Sequence, residues 1–304
     1  MANISLEQVR RKIDEAPSEQ RLSIIQNFIC QIDSPEQRSL AESMFFLGQE
    51  LSTLQQRENI VVLIHGIMTH AVWQERLMAK LKSEADIVAF PIGYDFLDIL
   101  RFWCPFFTRK GPIDKVLHQL RVLRSEHPNA DISAVAHSFG TYIMSQILLD
   151  NTDIKIHRIQ LCGSIISRNF QWDQLKGRIK GIVVNDAGSR DYWPVFASLF
   201  SWGYGASGTF GFKNVLVKDR FYDCGHSDFF EDEHMRKYWI PLLIDGQVVP
   251  SDWSQSRPSP NVVISFLNWL PLKILIAIGI FVWALSKFNI ADKFIQIFKI
   301  FAGN

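Results

Sequence analysis

Residues 131–142 read DISAVAHSFGTY. Ile132, Ala134 and Val135 are apolar and strand-like, and Thr141 to Leu149 continues with apolar residues at helical spacing. The stretch predicts a short buried strand, a sharp turn and the start of a helix. Ser138 lies in the turn, with Ala136 two residues before it and Gly140 two after. Small residues there let strand and helix pass closely, and a serine so held has its hydroxyl exposed at the end of a sheet. The pattern is G-x-S-x-G with Ala136 in the first glycine place. Alone it is a weak signal, because a structural serine opening a helix matches it too.

Working outward, the chain alternates strands and helices. Residues 59–66, NIVVLIHG, form an apolar run rich in β-branched residues, fit for a strand buried on both faces. A helix follows at about Trp73 to Leu81, then a strand at 87–92, an amphipathic helix at 113–126, and the strand before Ser138. Further strands are predicted at 156–162, 179–185 and 214–218, with a closing helix at 231–239. Such alternation predicts an α/β fold, a mostly parallel sheet with helices on both faces. RFWCPFF at 101–107 is aromatic and broken by Pro105, so it does not read as a core strand.

A length of 304 residues suits one large domain with additions, and 47% hydrophobic residues supply an ample core. A net charge of +1 gives no electrostatic case for nucleic acid. The four cysteines are scattered without a CxxC pair, which points to reduced, buried thiols rather than to zinc or a disulfide framework. No metal or organic cofactor is expected. Gly203, Gly205 and Gly208 have GxGxxG spacing, but they follow no strand and open no helix. A mobile aromatic loop, walling an apolar pocket or acting as a lid with RFWCPFF, is expected there instead.

Residues 59 to about 245 resemble the α/β-hydrolase superfamily. The resemblance rests on IVVLIHG, then AHSFG, an acid after a late strand, and a histidine after the last strand. It implies a serine nucleophile, a histidine base that takes its proton, and a carboxylate that fixes the base. Ser138 is the nucleophile so implied. His226, in DCGHSDFF after the last strand, is the base, with His234 as the fallback. Gly188, Asp191 and Pro194 match the superfamily's acid motif, so Asp191 is preferred to Asp186, which sits at a strand end. The resemblance further implies oxyanion donors at the backbone N–H groups of Phe139 and of Ile67 or Met68. His65, Trp193 and Tyr204 are expected beside the substrate.

The expected activity is hydrolysis of an ester, an acyl-lipid or other hydrophobic ester, through an acyl-enzyme. Thioesters and amides are alternatives, and so is a catalytically inactive binding or scaffold protein on the same fold.

Four segments are expected: a helical prefix over residues 1–57, the hydrolase domain over 58–249, a linker over 250–260, and a helical tail over 261–304. In the prefix, Leu40, Met44, Phe45, Leu47 and Leu51 read as inward-facing, and residues 4–56 are a candidate docking module for a protein partner. The N-terminus lacks the apolar core of a signal peptide, so a cytoplasmic hydrolase domain is expected. In the tail, Val262 to Leu285 is mostly apolar, and residues 290–301 are amphipathic with basic flanks. That predicts membrane association through residues 261–304.

Overall fold

The computed structural model describes residues 18–55, 58–67, 72–94, 108–253, 257–259, 262–269 and 272–287. Contacts gather the chain into two units, Met1–Arg57 and Glu58–Asn304. The first contains α1 (Ser18–Cys30) and α2 (Pro35–Gln55). The Ser34 hydroxyl accepts the Gln37 N–H at 3.4 Å and so caps the start of α2, with Pro35 in its first turn. Leu40, Met44 and Leu47 are 62–65% exposed, against the inward-facing expectation. A pair of helices encloses little, and Ile29 is the one apolar side chain of this unit that is buried among the described residues.

The second unit is built on six strands: β1 (Asn59–Ile64), β2 (Val88–Ile92), β3 (Asp131–His137), β4 (Ile159–Cys162), β5 (Val183–Gly188) and β6 (Val217–Tyr222). They are all parallel, in the order β2-β1-β3-β4-β5-β6. Its helices are α3 (Val72–Ala85), α4 (Lys110–Glu126), α5 (Phe139–Asp150), α6 (Trp193–Phe200), α7 (Ser207–Phe210), α8 (Val262–Trp269) and α9 (Leu272–Lys287). A closing helical run, 228–230, 232–234, 235–239 and 240–245, follows β6.

Alternation along β1 explains its unbroken apolar run. Ile60, Val62 and Ile64 face a core completed by α4 and α5, while Val61 and Leu63 face one completed by α3 and the closing run. The last three strands start later than the apolar pattern suggests. Ile156 and Ile179 meet only in an isolated bridge, and Asn214 spends its side chain on a turn, accepting the Leu216 N–H at 2.9 Å. One consequence is that Asp186 sits inside β5, not at its end.

Register sets the site. Ile64 pairs with Ala136 and His137 pairs with Cys162, so Gly66 and Gly163 fall on the two sides of Ser138. Residues 250–253, expected as linker, lie along the sheet edge, where the buried Ser251 hydroxyl donates to the Phe221 carbonyl. From α8, Ile264 and Leu267 pack on Val195, Leu199, Ala206 and Phe210. Among the described residues no helix is long and apolar enough to cross a membrane. Residues 101–107, the segment before Ser18 and the amphipathic stretch at 290–301 lie outside the described residues.

Candidate active site

Ser138 has φ 53° and ψ −119°, a conformation that side chains rarely adopt. Hydrogen bonds hold it there: its N–H reaches the Cys162 carbonyl at 3.1 Å, and the Thr141 hydroxyl donates to its carbonyl at 2.6 Å. Gly140 is required by contact, since a Cβ there would lie 2.6 Å from the Ile64 carbonyl oxygen. Gly66 is required as well, since its Cβ would lie 2.7 Å from the Ser138 Cβ. Sequence reasoning found the first of these glycines and passed over the second.

Asp191 is buried on the turn after β5, where its N–H bonds the Gly188 carbonyl at 3.0 Å. Both carboxylate oxygens are used. Oδ1 accepts the Trp193 backbone N–H at 3.1 Å, and Oδ2 accepts His226 Nδ1–H at 2.8 Å. A carboxylate only accepts, so the His226 proton is placed on Nδ1, which leaves an Nε2 lone pair in the neutral ring.

His226 stands just past the end of β4, beside the serine. A Cβ on Gly163 (φ +54°) would lie 2.8 Å from its Cε1. The His226 carbonyl accepts His137 Nε2–H at 3.0 Å, and the two rings are 4.5 Å apart. His137 is wholly buried, and burial next to His226 pulls its pKa well below the ordinary value. The structure forms no hydrogen bond between the Ser138 hydroxyl and His226.

Asp186 and His234, the fallback pair, are engaged elsewhere. Asp186 takes Arg220 at 2.6 and 3.1 Å, His234 Nε2 at 3.0 Å and the Trp239 indole at 2.8 Å. Burial pushes its pKa up, but Arg220 and His234 outweigh that and bring it to about 2. Asp186–His234 and Asp191–His226 are both Asp–His pairs, and the one beside the serine turn is Asp191–His226.

Phe139 heads α5 directly after the serine, and Ile67 follows Gly66 in the turn after β1. Met68 lies outside the described residues. His65 Nδ1 donates to the Gly66 carbonyl at 2.6 Å, and its ring stacks on Tyr94 at 4.4 Å. The Trp193 ring is 57% exposed, 6.3 Å from the His226 ring. Tyr204 is buried behind α5 between Phe139 and Tyr142, with the Arg109 guanidinium 3.8 Å over its ring.

The glycine-rich loop packs against residues 163–167. A Cβ on Gly205 would meet Ser167 Cα at 2.4 Å, and one on Gly208 would meet Ser164 N at 2.3 Å. Gly205 and Gly208 serve backbone-to-backbone packing beside Gly163, while Gly203 lies against the Arg109 and Tyr142 side chains. Three cysteines are described and all are free. Cys162 is buried and Cys224 partly so, with burial raising both thiol pKa values, whereas Cys30 is exposed. Among the described residues no group of His, Cys, Asp or Glu is arranged to hold a metal ion.

A family model for the alpha/beta hydrolase fold matches residues 59–201. That match, on a parallel sheet of this order, supports membership of the α/β-hydrolase superfamily. The match takes in Ser138 and Asp191 and stops before His226. Hydrolysis is the activity that membership supports for this α/β-hydrolase. Similar solved structures include an alpha-beta serine hydrolase homologue from Coxiella burnetii, 12% identical, covering 63% of this chain and 86% of that one with a TM-score of 0.39. A cold-adapted esterase from an Arctic intertidal metagenomic library is 14% identical over 70% and 82%, with a TM-score of 0.37. An uncharacterized protein from Bacillus cereus is 12% identical over 79% and 86%, with a TM-score of 0.45. No curated protein matches the chain by sequence.

Proposed function

We propose that this α/β-hydrolase is a serine hydrolase that cleaves a hydrophobic carboxylic ester through Ser138, His226 and Asp191. The observation that carries the reading is the 2.8 Å Asp191–His226 bond, with His226 seated over Gly163, just past the end of β4 and next to Ser138. Ser138 Oγ attacks the ester carbonyl while His226 Nε2 takes its proton. Backbone N–H groups of Phe139 and of Ile67 or Met68 meet the oxyanion, an effect worth a few kcal/mol in such sites. Collapse expels the alcohol, protonated by His226, and leaves an acyl-Ser138. Water then repeats the sequence and frees the acid. Asp191 keeps the ring in the productive tautomer and stabilises its charge.

Labelling by a fluorophosphonate tests this. Wild type should label and Ser138→Ala should not. One observation favours the second reading, a binding protein on the same fold, namely that Ser138 and His226 form no hydrogen bond. Catalytic hydrogen bonds often close only with substrate in place. Failure of folded wild type to label, with membrane present, would select the binding protein.

The tail supports membrane association, with the hydrolase domain on the cytoplasmic side. The exposed Leu40, Met44 and Leu47 of α2 support a protein partner for residues 4–56.

A further inference from the structure

α6 begins two residues after Asp191, and its outer side is apolar and aromatic. Trp193, Phe196 and Phe200 are exposed, as are Tyr192 before it and Trp202 after it. Its inner side, Val195 and Leu199, receives Ile264 and Leu267 of α8, and α9 also contacts α6. The element that leads away from the acid of the site is thus continuous with the tail.

α9 differs from a helix made for a protein groove. Such a helix shows one apolar stripe and a polar back. In α9, Ile274, Leu275, Ile276, Ile278, Ile280, Val282 and Trp283 are all exposed, and three of them are consecutive. Successive residues turn by about 100°, so the apolar surface runs around the helix. A single protein partner covers one side of it; hydrocarbon covers all that α6 leaves open. At 16 residues α9 spans about 24 Å, less than the roughly 30 Å of a bilayer core, which suits embedding rather than crossing.

Charge selects the kind of bilayer. Residues 253–291 contain no Asp or Glu, and the helix carries Lys273 at its start and Lys287 at its end. Arg109, buried nearby on the Trp202 carbonyl and the Ser201 hydroxyl, has no carboxylate partner among the described residues. A second copy of this face would bring lysine against lysine; anionic headgroups would neutralise them.

We propose that α6, α8 and α9 form one surface that seats the protein in an anionic phospholipid bilayer, with the Trp193 end of α6 at the lipid. On the ester-hydrolase reading, which this extension rests on, the substrate is an acyl ester drawn from that bilayer.

The test uses the full chain carrying Ser138→Ala, so that binding is read apart from turnover. It is floated with phosphatidylcholine vesicles, with and without phosphatidylglycerol. Binding is expected with the anionic vesicles. Lys273→Glu with Lys287→Glu should weaken it at least tenfold, from about fivefold per surface lysine. Ile278→Asp should abolish it. In the Ser138 background, the same substitutions should leave turnover of a soluble short-chain ester unchanged. No flotation with either vesicle would overturn the proposal. So would equal binding to neutral vesicles, or a dimer in solution that Ile278→Asp dissolves. If flotation holds and the soluble ester is not turned over, the docking surface stands and the substrate class falls.

Discussion

Asp186 and Arg220 face each other across β5 and β6 in a buried two-point ion pair, with Nε on Oδ1 at 2.6 Å and Nη2 on Oδ2 at 3.1 Å. Arg220 also reaches Gln160 at 2.8 Å and the Tyr238 carbonyl at 3.2 Å, so the pair ties three strands to the closing run. Removing one partner of such a pair strands the other charge in the core. Asp186→Asn is therefore expected to cost about 3–5 kcal/mol of unfolding free energy, measured by urea denaturation. Any loss of turnover should follow the loss of folded protein.

Asp191 should behave the other way. Asp191→Asn keeps the size of the side chain and can still accept from the Trp193 N–H, but it no longer fixes the His226 tautomer. Stability should change by about 1 kcal/mol or less, while kcat falls by about 10^4-fold. Turnover per folded molecule separates the two aspartates. Equal effects of the two substitutions would count against the assignment of the acid.

The same network predicts acid sensitivity. The folded pKa of Asp186 lies below its unfolded value, so its contribution is complete above about pH 4 and is lost as pH falls toward about 2. The size is on the order of 2 kcal/mol. Wild type should lose stability through that window more steeply than Asp186→Asn, as read by denaturation at successive pH values.

The candidate site was legible where local backbone demands are severe. Ser138 and Gly140 announce the turn because few residue types tolerate it, whereas His226 and Asp191 are implied by the superfamily resemblance. The strand limits of β4, β5 and β6 were not legible. Apolar residues such as Ile156 and Ile179 occur just outside the ladder, and Asp219 and Arg220 lie inside β6. A charged residue within a strand reads as a strand end until its partner is known, and Asp186 and Arg220 are each other's partner. The glycine-rich loop misled for a similar reason. Gly205 and Gly208 are there for the backbones of Ser167 and Ser164, 38 and 44 residues upstream, a contact that no spacing within the loop reveals.

Ser138 stores strain. Its φ of 53° with ψ of −119° is a region that glycine enters freely and serine does not, at a cost of about 1–3 kcal/mol. Ser138→Gly should therefore raise the midpoint of thermal unfolding by a few degrees while abolishing fluorophosphonate labelling. Ser138→Ala keeps the strain and should not gain. Calorimetry on the three proteins checks this, and a gain shared by both variants would point to the hydroxyl and not to the backbone.

Gly163 is the residue against which His226 rests. An added methyl would lie 2.8 Å from the His226 Cε1 and 3.2 Å from the His137 Nε2, on a backbone with φ +54°. Gly163→Ala should displace the imidazole, and displacements near 1 Å cost about 10^2-fold in kcat. KM for a soluble ester should change little, because the substitution lies on the side of the base and not of the acyl group. Steady-state kinetics of the folded variant checks the split.

In the proposed mechanism, His137 positions the base from behind. Its Nε2 faces a carbonyl, that of His226, and must carry the proton, while its Nδ1 is buried without a partner and is left as the lone pair. Burial keeps the ring neutral, so it adds no second cation next to His226 when that ring takes the serine proton. His137→Ala would leave the His226 carbonyl unbonded and a space beside the imidazole. A loss of about 1–3 kcal/mol in orienting the base corresponds to roughly ten- to hundredfold in kcat, with KM nearly unchanged. His137→Gln, which can donate from a similar reach, should recover part of the loss. A rise in KM with kcat intact would instead place His137 in substrate binding, and an equal loss in the Ala and Gln variants would show that the ring's packing against Phe230, 4.8 Å away, matters more than its hydrogen bond.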